Sequence, residues 1–382
     1  MAGRARSYQE VVDLSRTRRP APTGGPRRSK QYYVDIGKRV LNELAEEQLA
    51  FVWQEAEARA SDTYWRGLSH VVDPEHLATA RDQLLSEGTL VREPEVMTKG
   101  GHGVIIFRPA NLVRRRRAFE DVASRKRALQ GRFLGWAQGG KEGAGIIGKA
   151  GELVLLNSLR AASPIRGYRL ENPENGECAR LLDLPVPGYP DDGRVAPLDN
   201  GAYVFIAPTE FALSIEMKST RNHIYPASAE LHQVLYKAAA LQRQRPLAAI
   251  VPVLVCRAAN WTTLRMAKDL GFLIVTTRTQ WLIPQSRVTE ANVLEVRRAL
   301  GYDVWLPPQD WISPYLRDQF AFVLPNLLEA QAKRWSEFGA GFEETYGRLW
   351  RFPSTGTPAQ RRSLVHSIRR SAIKRHGPLR GW

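Results

Sequence analysis

The sequence predicts an α/β fold, because short apolar strands alternate with amphipathic helices through its central part. The clearest strands are 201–207 and 211–219, two β-rich runs joined by Pro208 and Thr209, which is typical of a β-hairpin. The segments after the hairpin alternate between helix and strand: 229–242, 248–256, 261–270 and 272–276. With 382 residues and 43% hydrophobic content, the chain can form two or three domains with apolar cores.

A helix is predicted immediately before this region. Over residues 151–160, Leu155, Leu156 and Leu159 recur with helical spacing and share a face with Glu152. If one further strand lies within 165–198, the order of elements is α-β-β-β-α-β-α-β.

The second strand of the hairpin ends in Glu216 and Lys218. Residues two apart in a strand share a face, so the carboxylate and the ammonium point the same way. With a turn at Pro208 and Thr209, residues whose numbers sum to about 417 pair, which places Asp199 opposite Glu216 and Lys218. Two carboxylates and a lysine then converge, as metal-assisted attack on a phosphate requires. The alternative for a Glu and a Lys two residues apart is an ordinary solvated strand face.

This order of elements, with Glu152, Asp199, Glu216 and Lys218 at its key positions, resembles the PD-(D/E)xK superfamily of restriction-endonuclease-like nucleases over residues 141–285. The resemblance implies an αβββαβ core, in which Asp199 and Glu216 bind the catalytic metal and Lys218 orients or helps deprotonate the attacking water. Glu152 would add an outer ligand, and Gln233 lies where many relatives carry a polar residue that faces the site. Glu152 is also explained as a helix-start carboxylate, and Gln233 as a partly buried polar edge.

The first metal ligand has a second candidate. The family pattern often has Pro directly before its first Asp, whereas Leu198 precedes Asp199 in this chain. Asp191 does follow a proline, Pro190, but it lies too far from Glu216 for a tight hairpin. Asp191 therefore stays open as the alternative to Asp199.

The residue types favour an oxygen-bound metal. Two cysteines and seven scattered histidines predict neither a disulfide framework nor a structural zinc site. Carboxylate ligands favour Mg²⁺, with Mn²⁺ as the alternative. Residues 143–149, GAGIIGK, match the start of a phosphate-binding loop, but Ala150 stands where that loop needs a Ser or Thr hydroxyl, so no nucleotide is expected.

The net charge of +16 is concentrated in the segments 1–30, 113–132 and 361–382. Clustered basic groups suit sequence-independent contacts with nucleic-acid phosphates. The candidate residues in the second and third segments are Arg114, Arg115, Arg116, Arg117, Arg369, Arg370, Lys374 and Arg375. A solubilising tail or a patch for anionic lipids is the alternative explanation of such blocks.

The region before the central part is predicted to be a separate small domain. Its spacing is helical over 33–59, a further short helix is predicted at 61–69, and Asp73 with Pro74 starts a helix that Gly88 ends. Short strands at 90–93 and 103–108 surround TKGGHG at 98–103. This pattern resembles the winged helix-turn-helix fold over about 35–110, which implies that the helix from Pro74, with Arg81, enters a DNA major groove and that TKGGHG contacts the DNA backbone. Because that helix is only weakly basic, a protein-binding or dimerising wing domain is the alternative.

These features divide the chain into five parts. They are a disordered basic tail (1–30), a winged helix-turn-helix-like domain (31–112), a basic linker helix (113–140), a nuclease core (141–285) and a C-terminal helical region with a basic tail (286–382).

The absence of an 18-residue apolar stretch and of an apolar N-terminal leader predicts a cytoplasmic protein without a membrane partner. The function expected is a Mg²⁺-dependent endonuclease on double-stranded DNA, in restriction or defence by family analogy. Partners would be DNA and either a second copy of the chain or a defence-system protein. The alternative is a DNA-binding transcription regulator or structural protein with an inactive nuclease-like core, and RNA cleavage is a third hypothesis.

Overall fold

The computed structural model describes residues 29–62, 71–138, 145–190, 194–284, 288–308, 310–355 and 357–376. They form two compact units, Met1–Gly145 with Gln285–Val304 and Ile146–Pro284 with Trp305–Trp382. Three predictions lie outside the described residues: the basic tail up to residue 28, most of the helix at 61–69, and Asp191 as a metal ligand.

The structure contains helices of 5 to 23 residues and mostly short strands. The helices are α1 (Lys30–Gln48), α2 (Trp53–Ala60), α3 (Pro74–Ser86), α4 (Arg116–Gln138), α5 (Ile146–Arg166), α6 (Ala229–Gln244), α7 (Trp261–Leu270), α8 (Glu290–Leu300), α9 (Pro314–Asp318), α10 (Leu328–Glu337), α11 (Glu343–Thr355) and α12 (Pro358–His376). The strands are β1 (Leu90–Arg92), β2 (Val96–Met97), β3 (Gly103–Val104), β4 (Phe107–Pro109), β5 (Arg169–Leu170), β6 (Arg180–Leu181), β7 (Leu184–Pro185), β8 (Asn200–Ile206), β9 (Thr209–Lys218), β10 (Ala249–Cys256), β11 (Leu273–Thr276), β12 (Gln280–Trp281) and β13 (Val304–Trp305).

The first unit is centred on α1, α2 and α3. Leu41 and Leu44 of α1 pack with Leu77 and Leu84 of α3 in one apolar core. The predicted start of α3 is confirmed, since the Asp73 carboxylate accepts the backbone N–H of Glu75 and Pro74 is the first helical residue. The helical spacing predicted over 33–59 is divided between α1 and α2, because the chain turns at Leu49, whose φ is 61°.

A small β-structure follows α3 and packs against the same core. β1 pairs antiparallel with β4, and Phe51, between α1 and α2, bridges to Phe107 on the other edge of β4. Between them, β2 and β3 form a hairpin whose tip carries the TKGGHG segment. This tip rests on α4, because a Cβ placed on Gly131 would lie 2.7 Å from Cγ2 of Thr98.

The helix α4 is held within the first unit by buried polar contacts. Nζ of Lys126 lies 2.7 Å from Oε2 of Glu55 and 2.7 Å from the side-chain oxygen of Gln48. The segment containing α8 packs on α4 as well, with the Tyr302 hydroxyl 2.5 Å from the Gln130 amide oxygen. Residues 288–304 therefore lie in the first unit, although they were grouped with the C-terminal region in the sequence.

The second unit is built on a five-stranded mixed sheet in the order β11-β10-β9-β8-β5. β9, β10 and β11 run parallel, whereas β8 is antiparallel to β9 and to β5. Along the chain the elements around this sheet are α5, β5, β8, β9, α6, β10, α7 and β11. The predicted α/β class is confirmed. The elements that build this sheet follow the predicted order, with β5 as the further strand, but residues 165–198 also contain β6 and β7, which form a separate two-stranded sheet.

The predicted register of the hairpin is wrong by two residues. The turn consists of Ala207 and Pro208, which are joined by a cis peptide bond, and Ile206 pairs with Thr209. Because the turn begins one residue earlier than predicted, Asn200 pairs with Ile215.

Two apolar layers cover the sheet. On one face, Leu213 and Ile215 of β9 pack with Leu155 of α5 and with Phe320 and Leu328 of the C-terminal region. On the other face, Ala212 of β9 packs with the apolar side of α6 and with Trp335, Tyr346 and Ile368. Alternation along β9 therefore turns residues 212, 214, 216 and 218 toward α6. Among the described residues, the structure contains no helix with the length and apolar character needed to cross a membrane.

Candidate active site

The carboxyl end of β9 carries the two residues on which the functional prediction depends. Glu216 is almost completely buried, with 1% of its side chain exposed, whereas Lys218 is 19% exposed. The ammonium of Lys218 donates a 2.7 Å hydrogen bond to Oε2 of Glu216. The two side chains therefore share one face of the strand, and Lys218 is the one that solvent can reach.

Asp199 joins this pair from the residue before β8. Its Oδ2 accepts the backbone N–H of Met217 at 2.6 Å and lies 3.8 Å from Nζ of Lys218. The structure thus brings Asp199, Glu216 and Lys218 together. The register displaced by two residues still leaves Asp199 beside the end of β9.

A second lysine, Lys237, was missed in the sequence. Its side chain, on α6, is completely buried, and its Nζ lies 2.5 Å from Oε1 of Glu216 and 2.8 Å from the carbonyl oxygen of Pro197. The signal was present, because Lys237 falls on the same helical face as Val234 and Leu241, which are buried. A lysine on an apolar face needs a buried anion as its partner.

Gln233 lies one turn before Lys237 on α6 and is partly buried. Among the residues that the structure describes, no hydrogen bond joins its side chain to Asp199, Glu216 or Lys218. Its predicted role stays a prediction.

Glu152 lies in the first turns of α5, close enough to the site for the charges of Lys218 and Glu216 to act on it. The helix approaches the end of β9 closely at Gly151, where a Cβ would lie 2.9 Å from Cε of Met217. Burial raises the pKa of Glu152; the charge of Lys218 lowers it in part, and that of Glu216 raises it further. Glu152 therefore lies within the electrostatic field of the site.

The pKa values of the two central carboxylates shift in opposite directions. Burial raises the pKa of Asp199 to about 7, helped by the charge of Glu216 and opposed by Lys218 and by the N–H of Met217. Burial alone would also raise the pKa of Glu216, but the ammoniums of Lys218 and Lys237 outweigh it and hold that pKa below its usual value. Conversely, Glu216 and Asp199 overcome the effect of burial on Lys218 and raise its pKa.

The donor set fits a hard divalent cation. Asp199 and Glu216 supply carboxylate oxygens, which are the ligands that hard divalent cations prefer. In the part of the chain that the structure describes, no group of three or more His, Cys, Asp or Glu side chains is arranged to hold a metal ion. Mg²⁺ commonly uses one or two carboxylates and completes its shell with water and substrate phosphate, so Asp199 and Glu216 would suffice.

The arginines predicted to bind nucleic acid in the first unit differ in their availability. Arg81 lies over the ring of Trp53 and pairs with Asp82, which occupies its guanidinium. Arg115 pairs with Glu46, and Arg116 pairs with Glu120. Arg114 and Arg117 are exposed.

On α12, the predicted basic residues lie on a helix anchored by the buried Ile368 and Ala372. Arg369 and Arg370, together with Arg362 and His366, line an open groove of about 620 Å³. Lys374 is exposed. Arg375 lies 3.9 Å from Glu337 and over the ring of Phe338, so it already has partners.

Comparison of the chain with protein-family models, curated proteins and solved structures finds no match. The fold and the site define an α/β protein with a mixed sheet. Two carboxylates and two lysines meet beside the end of its central strand.

Proposed function

We propose that this protein is a metal-dependent endonuclease that hydrolyses phosphodiester bonds in double-stranded DNA. The observation that carries the proposal is the meeting of Asp199, Glu216 and Lys218 at the end of β9, with Glu152 nearby. The order of elements around the sheet and the position of these residues support a PD-(D/E)xK core. Restriction or defence is the setting that family analogy favours, with a second copy or a defence protein as partner.

The residues of the site would have distinct roles in this reaction. Asp199 and Glu216 would hold a Mg²⁺ ion, and Mn²⁺ would fit the same oxygens. When bound, the cation would stabilise, as a Lewis acid, the charge that develops on the phosphate. Because the pKa of Lys218 is raised, its ammonium stays protonated at neutral pH. Lys218 therefore orients the attacking water and stabilises negative charge rather than removing a proton.

The first unit supports a DNA-binding role. Its sequence of elements is a helix, a bridging residue at Phe51, two helices, and the strands β1 and β4 with a hairpin between them. This order supports the winged helix-turn-helix proposal. Since Arg81, Arg115 and Arg116 are already paired, Arg114 and Arg117 are the stronger candidates for phosphate contacts in this unit.

The proposal is tested by incubating supercoiled plasmid and linear duplex with the purified chain in Mg²⁺, Mn²⁺ or EDTA. Lys218→Ala and Glu216→Gln are expected to reduce metal-dependent cleavage by about 10²–10⁴-fold while DNA binding changes little. Glu210→Ala is the matched control, because Glu210 lies on the same strand but is 53% exposed and pairs with Arg169. Cleavage that survives both site variants would place the reaction elsewhere, and competition with RNA decides the nucleic-acid class.

A second function is favoured by the two lysines. Both carboxylate oxygens of Glu216 already accept hydrogen bonds from ammonium groups, so its charge is compensated without a cation. A DNA-binding regulator or structural protein with an inactive core fits this arrangement. DNA binding without cutting of unmodified or methylated DNA in either metal, together with no Mn²⁺ binding, would establish it.

A further inference from the structure

Lys237 is completely buried, and its ammonium touches two segments that carry the site. It bonds Oε1 of Glu216 on β9 and the carbonyl oxygen of Pro197, two residues before Asp199. Both contacts lie in the protein interior. Lys237 therefore has no surface with which to meet a DNA substrate.

The two lysines of the site occupy opposite sides of Glu216. Lys218 bonds Oε2 and is 19% exposed, so it faces the solvent-accessible side. Lys237 bonds Oε1 from within the layer formed by α6. Lys218 is therefore the lysine that can contact a substrate, whereas Lys237 can interact only with other parts of the protein.

The backbone of α6 fixes the position of Lys237. Val234, Leu235 and Ala238 around it are completely buried in the apolar layer on this face of the sheet. The stretch before β8 is held less regularly, with Pro187 bridged to Val195 and Leu198 bridged to Cys178. A rigid helix thus provides the ammonium that ties the Pro197 carbonyl to Glu216.

We propose that Lys237 is a positioning residue, which fixes Glu216 and the 197–199 segment relative to each other so that Asp199 and Glu216 can share one divalent cation. This inference rests on the proposed function, because it gives the two carboxylates a common cation. It assigns Lys237 no contact with substrate. Loss of the bridge should weaken cation binding by about 10–100-fold, as with other residues that orient metal ligands.

The bridge itself is tested without any activity measurement. Urea unfolding in EDTA is compared for the wild-type chain, Lys237→Met, Glu216→Gln and the double variant. Lys237→Met leaves Glu216 buried with one partner fewer, so the unfolding midpoint of this variant should fall most. Adding Glu216→Gln to the same chain should restore part of the lost stability. Strictly additive effects of the two changes would overturn the bridge and with it the proposal.

The positioning role is tested by Mn²⁺ titration, followed by electron paramagnetic resonance, of the full chain. Lys237→Met should weaken Mn²⁺ binding by about 10–100-fold and raise the Mg²⁺ concentration for half-maximal cleavage, with the KM for DNA unchanged at saturating Mg²⁺. Lys126→Met is the matched control, because Lys126 is also a buried lysine paired with a glutamate, Glu55, in the other unit. It should lower stability and leave Mn²⁺ affinity unchanged.

The outcomes separate the two proposals. If the wild-type chain binds Mn²⁺ and cuts DNA, and Lys237→Met binds Mn²⁺ equally well, the positioning role is overturned while the nuclease stands. If the wild-type chain neither binds Mn²⁺ nor cuts DNA, the proposed function fails and the positioning role fails with it. The unfolding experiment then still decides whether Lys237 couples to Glu216.

Discussion

Asp199 and Glu216 belong to one site, yet their pKa values shift in opposite directions. Burial acts on both, but Glu216 bonds two ammoniums, whereas Asp199 has, among the described residues, the Met217 N–H and a more distant Lys218. Two neighbouring carboxyls whose pKa values differ in this way indicate where a proton or a cation is preferentially held. In the proposed metal site, a proton on Asp199 would therefore compete with the cation near pH 7.

Single residues also explain which part of the site the sequence could predict. Glu216 and Lys218 were found because alternation along a strand is a local rule, and Asp199 because a hairpin pairs nearby segments. Lys237 was missed because its role depends on the packing of α6 over β9, which local spacing does not encode. Only the position of a lysine among apolar residues hinted at a buried partner.

His232, near the start of α6, should make the stability of the folded chain depend on pH. It is completely buried, its Nε2 lies 2.7 Å from the carbonyl oxygen of Pro226, and burial lowers its pKa to about 4. Since the unfolded chain binds the proton near pH 6.5 and the folded chain does not, stability is lost as the pH falls from 6.5 to 4. The loss should reach about 3 kcal/mol and is measured by urea unfolding at several pH values.

His232→Phe is the appropriate comparison, because it keeps a ring next to Tyr346 but cannot titrate. Other groups titrate in both chains, so the informative quantity is the difference between the two pH profiles. Parallel profiles from pH 6.5 to 4 would show that His232 does not remain neutral in the folded chain.

Among the elements, α5 meets the end of β9 at Gly151. A Cβ at Gly151 would collide with the hydroxyl of Ser219 and lie 2.9 Å from Cε of Met217, whereas a Cβ at Gly148 would meet nothing within 4 Å. Both positions lie within α5, where alanine favours the helix by about 0.5–1 kcal/mol over glycine. Gly148→Ala should therefore stabilise the chain, and Gly151→Ala should destabilise it by about 1–3 kcal/mol.

Urea unfolding of the two glycine variants checks this prediction, and cleavage assays show whether Glu152 moves with the helix. Gly148→Ala serves as the control for helix propensity. Equal stabilisation by both variants would mean that α5 does not approach β9 closely at Gly151.

The hairpin shows the limit of element-level prediction. Its two strands were predicted, but the turn was placed at Pro208 and Thr209 rather than at Ala207 and Pro208. The sequence marks where a turn must occur through Pro208 but does not decide which side of it the turn occupies. The displaced register follows from that single residue.

For the molecule as a whole, the C-terminal region could be predicted as helical but not placed. Its apolar residues complete both layers of the sheet, with Leu316 and Phe320 on one face and Trp335 and Tyr346 on the other. Residues 288–304 pack instead with α4 in the first unit. These contacts join segments far apart in the chain, such as Gln130 and Tyr302, which are 172 residues apart. Periodicity along the chain carries no information about them.

The basic charge of the whole molecule leads to a prediction about DNA binding through α12. Arg362, Arg370 and Lys374 are exposed on this helix, which carries no acidic residue. Each phosphate contact releases condensed cations from DNA. A plot of the logarithm of the binding constant against the logarithm of salt concentration therefore has a negative slope, which steepens by about 0.9 per contact. Replacing all three with glutamine should reduce that slope by about 2–3, measured by fluorescence anisotropy of a labelled duplex over a range of salt concentrations.

The control for the salt experiment is Arg243→Gln, because Arg243 is also exposed but already pairs with Glu343 at 2.8 Å. A paired arginine releases fewer counterions on binding, so its removal should change the slope by less than one contact. Equal slopes for the wild-type chain and the triple α12 variant would exclude this helix from the DNA interface. The exposed Arg114 and Arg117 would then be the residues to replace next, because they lie in another of the three concentrated blocks of positive charge.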